Sequence, residues 1–474
     1  MNTHERRNFL KTALLGTGFC LAGSGLSTIL GDAPAHAAVL SESEATKRLK
    51  TRTTALREDI IQLADNVWMS VGHSVSNVGM IVGDDGVIIV DTGLMEADAQ
   101  NILAEFRKLT DKPVRAIVYT HGHGDHTGGS LVFAADSNPD VWARDNFNIE
   151  NKVFVESGLQ PLFKVRGARQ GGFKLPREMR INNGIAPVKY PKKGGAIFGS
   201  EHGGVVPPNK FFGSESTTIT YAGITLSLVA APGETNDHLF VWYEDKGVLF
   251  SGANFYQSFP NLYAIRGAGY RDVKAWYESV DTMIGYNAAA LMPGHTRPIQ
   301  GQQEIRTVLS DYRDAIKFVY DKTIEGMLKG MTPGELVEYV KLPAHLAEKD
   351  YLGEYYGNVA WGVRSIFNGH VGWFDGNPTT MNPLPPTEEA KRMAALAGGE
   401  GGLLQAAKKA LGSGDAQWAA QLCDHLIVLN PGGSAPKMLK ADALSVQAEK
   451  MLSATGRNYM LTYAQELRMA AGGK

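Results

Sequence analysis

Three histidines and an aspartate fall within six positions of the segment Thr120-His121-Gly122-His123-Gly124-Asp125-His126-Thr127-Gly128-Gly129. Imidazole nitrogens and carboxylate oxygens are donors that suit zinc. The run follows an apolar stretch, Ala116-Ile117-Val118-Tyr119, so it lies at the end of a strand. Its glycines allow a tight turn that folds the donors about a point. His121 and His123 can then face one ion while Asp125 and His126 face another. A polar loop with chance histidines is the bland alternative, and the density of donors argues against it.

The surrounding sequence supplies elements able to position such a loop. Val78–Val82 and Val87–Asp91 are β-branched runs split by the turn Gly83-Asp84-Asp85-Gly86. Residues 95–109 carry apolar positions at helical spacing, and the strand 116–119 follows. This β-β-α-β order predicts an α/β sheet with helices on its faces. Strands resume at 217–231 and 239–250, a helix is expected over 273–290, and a short strand at 290–292 leads into Pro293-Gly294-His295. Residues 165–215 are rich in Gly, Pro and Lys and weakly periodic, which predicts a long functional or mobile loop. Beyond 302 the pattern is helical, over 302–330, 333–347 and 350–369. A proline-rich joint at 382–389 then precedes helical hairpins, which could form a tetratricopeptide-like unit or a plain bundle.

A chain of 474 residues holds two or three domains. Its 47 basic and 49 acidic residues give a net charge of −2, so there is no electrostatic case for a nucleic-acid partner. The N-terminus has a basic region (Arg6, Arg7, Lys11), a moderately apolar stretch, and Ala35-His36-Ala37 as a cleavage site. Arg6-Arg7-Asn8-Phe9-Leu10-Lys11 resembles a twin-arginine export signal. Residues 1–37 are therefore expected to be a signal peptide and the mature protein to be periplasmic. No other stretch reaches 18 uninterrupted apolar residues, so no stable membrane anchor is expected. Loss of that peptide removes Cys20, leaving Cys423 alone and excluding an intrachain disulfide.

The run 121–126 resembles the H-x-H-x-D-H signature of the metallo-β-lactamase superfamily. Asp91-Thr92-Gly93 matches that superfamily's D-x-G turn, Pro293-Gly294-His295-Thr296 matches its last ligand, and Pro232-Gly233-Glu234-Thr235 stands where P-G-H-T is usual. Glutamate at that middle position is similar to the alkylsulfatase branch. So are Asn261-Leu262-Tyr263-Ala264-Ile265-Arg266-Gly267, Tyr355-Tyr356-Gly357-Asn358, Gly372–Pro378 and Arg457-Asn458-Tyr459, which extends the resemblance over about residues 45–474. The resemblance implies an α/β fold, an αββα sandwich at 38–320, followed by an all-α helical dimerisation domain at 321–474 and hence a homodimer. The branch usually carries a third, sterol-carrier-like domain, and this sequence is expected to lack it. Carried over by position, one zinc takes His121, His123 and Glu234, and a second takes Asp125, His126 and His295. Arg266 holds the sulfate, and Asn254 joins Arg266 and Asp125 among the catalytic groups. His238, His202 and Asp237 are read as structural or substrate-adjacent.

One position departs from this pattern. Ala253 stands where the superfamily places a carboxylate that bridges two ions. Its loss predicts one zinc, or two of unequal affinity, with the Asp125–His126–His295 site the weaker. The main expectation is an exported zinc hydrolase cleaving amphiphilic alkyl sulfate esters with a metal-activated water. The alternatives are a hydrolase of a lactone, carboxylic ester or β-lactam on the same scaffold, and a degenerate zinc-binding protein without turnover.

Overall fold

Alternation along short β-branched strands determines how the molecule is layered. In Val87–Val90, Ile88 and Val90 face one core while Val87 and Ile89 face another. In Val248–Gly252, Val248 and Phe250 face the first of these cores and Leu249 a third. A strand buried on both faces lies in a sheet covered on both sides. The computed structural model describes residues 42–188 and 205–472. The expected signal peptide and His202 lie outside the described residues.

Strands β1 (Asp59–Ala64), β2 (Val67–Val71), β3 (Val78–Val82), β4 (Val87–Val90), β5 (Val114–Val118), β6 (Asp140–Arg144) and β7 (Lys210–Phe212) form one sheet in chain order. It is antiparallel from β1 to β4 and parallel from β4 to β7. The second sheet runs β13-β12-β11-β10-β9-β8, from β8 (Ser216–Tyr221), β9 (Ile224–Ala230), β10 (Leu239–Tyr243), β11 (Val248–Gly252), β12 (Ala290–Pro293) and β13 (Ile299–Gln300). Only β11 and β12 pair in parallel there. Val67, Met69, Ile81 and Val118 of the first sheet pack on Leu226, Leu228, Val241 and Met292 of the second. The helix Glu96–Phe106 covers the first sheet through Ala99, Ile102 and Phe106. The helices Val273–Gly285 and Gln302–Leu328 cover the second through Trp276, Val280, Met283, Ile305 and Val308. This is the αββα sandwich.

An all-helical region follows. The helix expected over 333–347 ends at Tyr339, ahead of Pro343, which cannot continue it. Residues 353–358 are not helical, and Gly357 passes so close to Pro260 that a Cβ would lie 2.0 Å from its carbonyl oxygen. The last five helices, Pro386–Leu396, Glu400–Gly412, Ala416–Leu429, Ser434–Lys450 and Ala454–Ala470, form a consecutive series. Cys423 is buried within it, and burial pushes its thiol up to about 11.

The described parts of the segment 165–215, residues 165–188 and 205–215, include regular structure. They contain most of the helix Gln160–Gln170 and strand β7. Leu175 and Met179 pack against Ala448 and Leu461, so this stretch connects the sandwich to the C-terminal helices.

Candidate metal centre

The donors leave the sandwich where strands end. Asp91 follows β4, the run 120–126 follows β5, Glu234 lies between β9 and β10, Ala253 and Asn254 follow β11, and His295 follows β12. Asn77, just before β3, ties the loops together. Its side-chain amide donates to the carbonyls of Pro293 and Thr296, both at 2.8 Å.

Asp125, His126 and His295 present one donor atom each, all within 4.8 Å of one another. His126 Nε2 and His295 Nε2 are 3.4 Å apart, and each is 3.7 Å from Asp125 Oδ2. Both imidazoles are oriented from behind. His126 Nδ1 donates to Asp91 Oδ2 at 2.7 Å, and His295 Nδ1 donates to the Val75 carbonyl at 2.9 Å. Their Nε2 lone pairs are thereby aimed at a common point, so the donor set fits a zinc-like ion. Among the described residues this is the one such cluster.

The other set is half drawn together. Thr120 Oγ1 donates to Asp91 and accepts from His121 Nδ1 at 3.1 Å, leaving His121 Nε2 bare. His123 Nδ1 lies 2.9 Å from that nitrogen. Glu234, the third expected ligand, turns one oxygen to Arg271 Nη1 at 2.9 Å. Its other oxygen, Oε2, is buried with no protein partner, so it is free to serve as a donor to a cation. Burial costs of the pair are shared by Arg271 Nη1 donating also to the Asn261 carbonyl at 2.7 Å.

Charge follows this geometry. Burial opposes it, but Asp91 and Asp125 lift His126 to about 9. Burial likewise works against Asp125, and the neighbouring imidazoles hold its carboxyl down to about 2. Burial and adjacent imidazoles push His121 and His238 well below the usual histidine range.

Asn254 does not face the donors. Its Oδ1 accepts from the Glu234 N–H at 2.9 Å and its Nδ2 donates to the Ala231 carbonyl at 2.7 Å. Both ends of the amide are occupied by main chain, so Asn254 positions the Glu234 turn rather than acting as a catalytic group. Asp237 is similarly engaged, accepting from the N–H groups of Gly122 at 2.9 Å and Asn148 at 2.6 Å. Neither replaces the carboxylate missing at Ala253. His238 is fully buried and stacks on His121 with ring centroids 4.8 Å apart.

Arg266 sits beside the helix Gln160–Gln170. Its N–H donates to Gln170 Oε1 at 2.9 Å, and its guanidinium lies 5.5 Å from the Phe163 ring centroid. Tyr256 packs edge-on between His295 and Tyr356, linking the centre to the helical region. Burial pushes the Tyr356 hydroxyl up to about 12 although Arg266 opposes this. Arg271, Tyr356 and Glu150, whose carboxylate lies 3.9 Å from His123 Nε2, were not identified from sequence. Tyr356 lies inside a matched segment and Arg271 just beyond one, whereas nothing in the sequence marks Glu150.

The layered sandwich with donors at its strand ends defines a metallo-β-lactamase-type hydrolase. A profile of the metallo-beta-lactamase superfamily matches residues 71–295, and one described as alkyl sulfatase dimerisation matches residues 332–470. A linear primary-alkylsulfatase of a Pseudomonas species is 36% identical over 379 residues, covering 78% of this chain and 70% of the relative. An (R)-specific secondary-alkylsulfatase of Pseudomonas is 30% identical over 375 residues, covering 77% and 55%. A solved stereoselective inverting sec-alkylsulfatase of Pseudomonas superposes with a TM-score of 0.80 at 27% identity, covering 90% of this chain and 67% of that one. The chain thus belongs to the alkylsulfatase family of the metallo-β-lactamase superfamily, whose members are sulfuric ester hydrolases. It spans roughly half to two thirds of the length of several relatives it matches.

Proposed function

We propose that this protein is an exported, zinc-dependent hydrolase of alkyl sulfate esters. The observation that carries the reading is the convergence of Asp125, His126 and His295 with both imidazoles fixed from behind. Asp125, His126 and His295 would hold a divalent ion there, which would supply Lewis acidity and a more acidic water. Asp91 holds the His126 proton on Nδ1 and so keeps Nε2 available to that ion. Asn254 holds the Glu234 turn, and Arg271 holds the Glu234 carboxylate. The Arg266 guanidinium offers the fork that matches a sulfate head.

Exposed apolar side chains on and between the helices Ile149–Glu156 and Gln160–Gln170, the second of which carries Phe163 against Arg266, favour an amphiphilic substrate. Val153, Val155, Leu159, Leu162 and Val165 are exposed, and Phe163 underlies the Arg266 guanidinium. Sulfate release from dodecyl sulfate, compared with opening of a lactone and of nitrocefin and combined with metal analysis, tests the reading. Turnover only of the lactone or nitrocefin would overturn the substrate assignment. Ala253 favours one other reading, a zinc-binding protein without turnover, which bound metal with no hydrolysis of any ester would support.

We also infer a homodimer through the region matched as a dimerisation domain, where Val371, Trp373, Met381 and Leu384 are exposed. Light scattering of the purified protein tests it. Export is the reading of Arg6-Arg7, and Arg6→Lys with Arg7→Lys should hold the precursor in the cytoplasm. Among the described residues no helix is long and apolar enough to cross a membrane.

A further inference from the structure

We infer that Glu150 is a positioning residue for His123 and supplies, from outside the ligand set, negative charge that Ala253 does not. This rests on the metal-centre reading above. Glu150 begins the second position of the helix Ile149–Glu156, and its Oε2 lies 3.9 Å from His123 Nε2. An adjustment of about 1 Å brings that pair to hydrogen-bonding distance.

The approach is built into the chain. Asp237 Oδ2 accepts from both the Gly122 N–H and the Asn148 N–H, so one carboxylate clamps the His121–His123 loop to the residue that precedes the helix. A Cβ at Gly122 would lie 2.6 Å from Asn148 Cα, so only glycine lets the two segments close. Asn148 itself takes a left-handed conformation, φ +61°, which asparagine tolerates. Glu150 is thereby held against His123 by backbone, independently of its own side-chain contacts.

The consequence is tautomeric. His121 Nδ1 donates to Thr120, so His121 Nε2 carries a lone pair. Nδ1 of His123 lies 2.9 Å from it. Without a cation that spacing is a hydrogen bond from His123 Nδ1–H to His121 Nε2, and the two nitrogens can share a cation only if the His123 proton moves to Nε2, the nitrogen that faces Glu150. A carboxylate there favours that tautomer and the basicity of Nδ1, as Asp91 does for His126. Charge points the same way. Arg271 takes up one oxygen of Glu234, no carboxylate occupies position 253, and the Asp237 carboxylate is engaged by the Gly122 and Asn148 N–H groups, so Glu150 adds negative charge on the His121–His123 side.

The test is calorimetric titration of the chelated full-length mature protein with zinc alone. In wild type the ion on the His121–His123 side should be the weaker of two. Glu150→Ala should weaken it a further 10- to 100-fold and leave the Asp125–His126–His295 ion unchanged. Glu150→Gln, which keeps an acceptor without charge, should fall between. Ala253→Glu placed on Glu150→Ala should recover much of the loss by returning a carboxylate to the same side. Unchanged zinc isotherms in Glu150→Ala, or equal weakening of both ions, would overturn the role of Glu150. Absence of any zinc binding in wild type would overturn the metal-centre reading as well. Circular dichroism and zinc retained at the Asp125–His126–His295 site show that the variant is folded.

Discussion

Asp91 Oδ2 lies 2.7 Å from His126 Nδ1, and Asp91 is one of six described non-glycine residues with positive φ, at +58°. The left-handed turn aims its carboxylate across to the next strand. There it also accepts from the Thr120 N–H at 2.8 Å and from the Thr120 hydroxyl. Thr120 in turn accepts from His121. One carboxylate therefore orients a histidine on each side of the centre, directly for His126 and through a hydroxyl for His121.

Asp91→Asn should lower zinc affinity by about 10- to 100-fold, because the amide can present a donor to His126 Nδ1 and favour the wrong tautomer. Competition with a graded series of chelators measures this. Retained affinity would show that packing alone fixes the two rings.

Zinc must displace the proton that His126 holds to about 9, whereas Asp125 is already ionised and His295 is held low by burial. Binding at pH 7 should release about one proton, and apparent affinity should rise roughly tenfold per pH unit until pH 9. Titrations in buffers of different ionisation enthalpy count the proton. In the metal-free protein the sign is opposite. His126 is raised above its unfolded value of 6.5, so its contribution is full below that pH and is lost as pH rises through 9. The depressed His121, His238 and His295 contribute fully above 6.5 and lose it below. Thermal melts of chelated protein should accordingly peak near neutrality.

The legible parts of the site are those written locally. The donors at 121–126, Asp91 and His295 follow short apolar runs, and a run of that kind announces a strand end. Strand β6 was missed because Asp140-Val141-Trp142-Ala143-Arg144 mixes charge with only one β-branched residue. The helix Gln160–Gln170 was obscured by the glycines and prolines that follow it. Asn254 stands out in the sequence by its matched position, but a matched position does not say which way an amide turns. Arg271 and Glu150 act through contacts between segments 37 and 27 residues apart in sequence, and periodicity carries no information about those.

Asn254→Ala should destabilise the protein by about 1–3 kcal/mol. It strands the buried Ala231 carbonyl and the Glu234 N–H together. Denaturant unfolding measures it. A change below about 0.5 kcal/mol would mean that the Pro232–Glu234 turn holds without the amide.

Arg266→Ala should raise KM for sulfate esters by roughly 10- to 150-fold, the loss of a charged hydrogen-bonded contact worth about 1.5–3 kcal/mol. Turnover of neutral esters, where any is measurable, should change much less. Equal effects on both substrates would make Arg266 a structural partner of Phe163 and Gln170 only.

Arg271→Met should behave differently with and without metal. The guanidinium is fully buried and Glu234 nearly so, at 4% exposure. Removing one member of a buried pair leaves the other charge uncompensated, at a cost of about 3–5 kcal/mol. That cost falls on the metal-free protein. If Glu234 Oε2 meets a cation on the His121–His123 side, bound zinc gives the carboxylate a new partner and part of the cost disappears. The variant should thus melt well below wild type when chelated and closer to it when zinc is saturating. By linkage, the same difference must reappear as tighter zinc binding in the variant. Differential scanning fluorimetry with and without zinc, compared with a zinc titration of both proteins, closes the cycle. An identical drop in melting temperature under both conditions would mean that Glu234 serves Arg271 alone, and that the His121–His123 side lacks its third ligand.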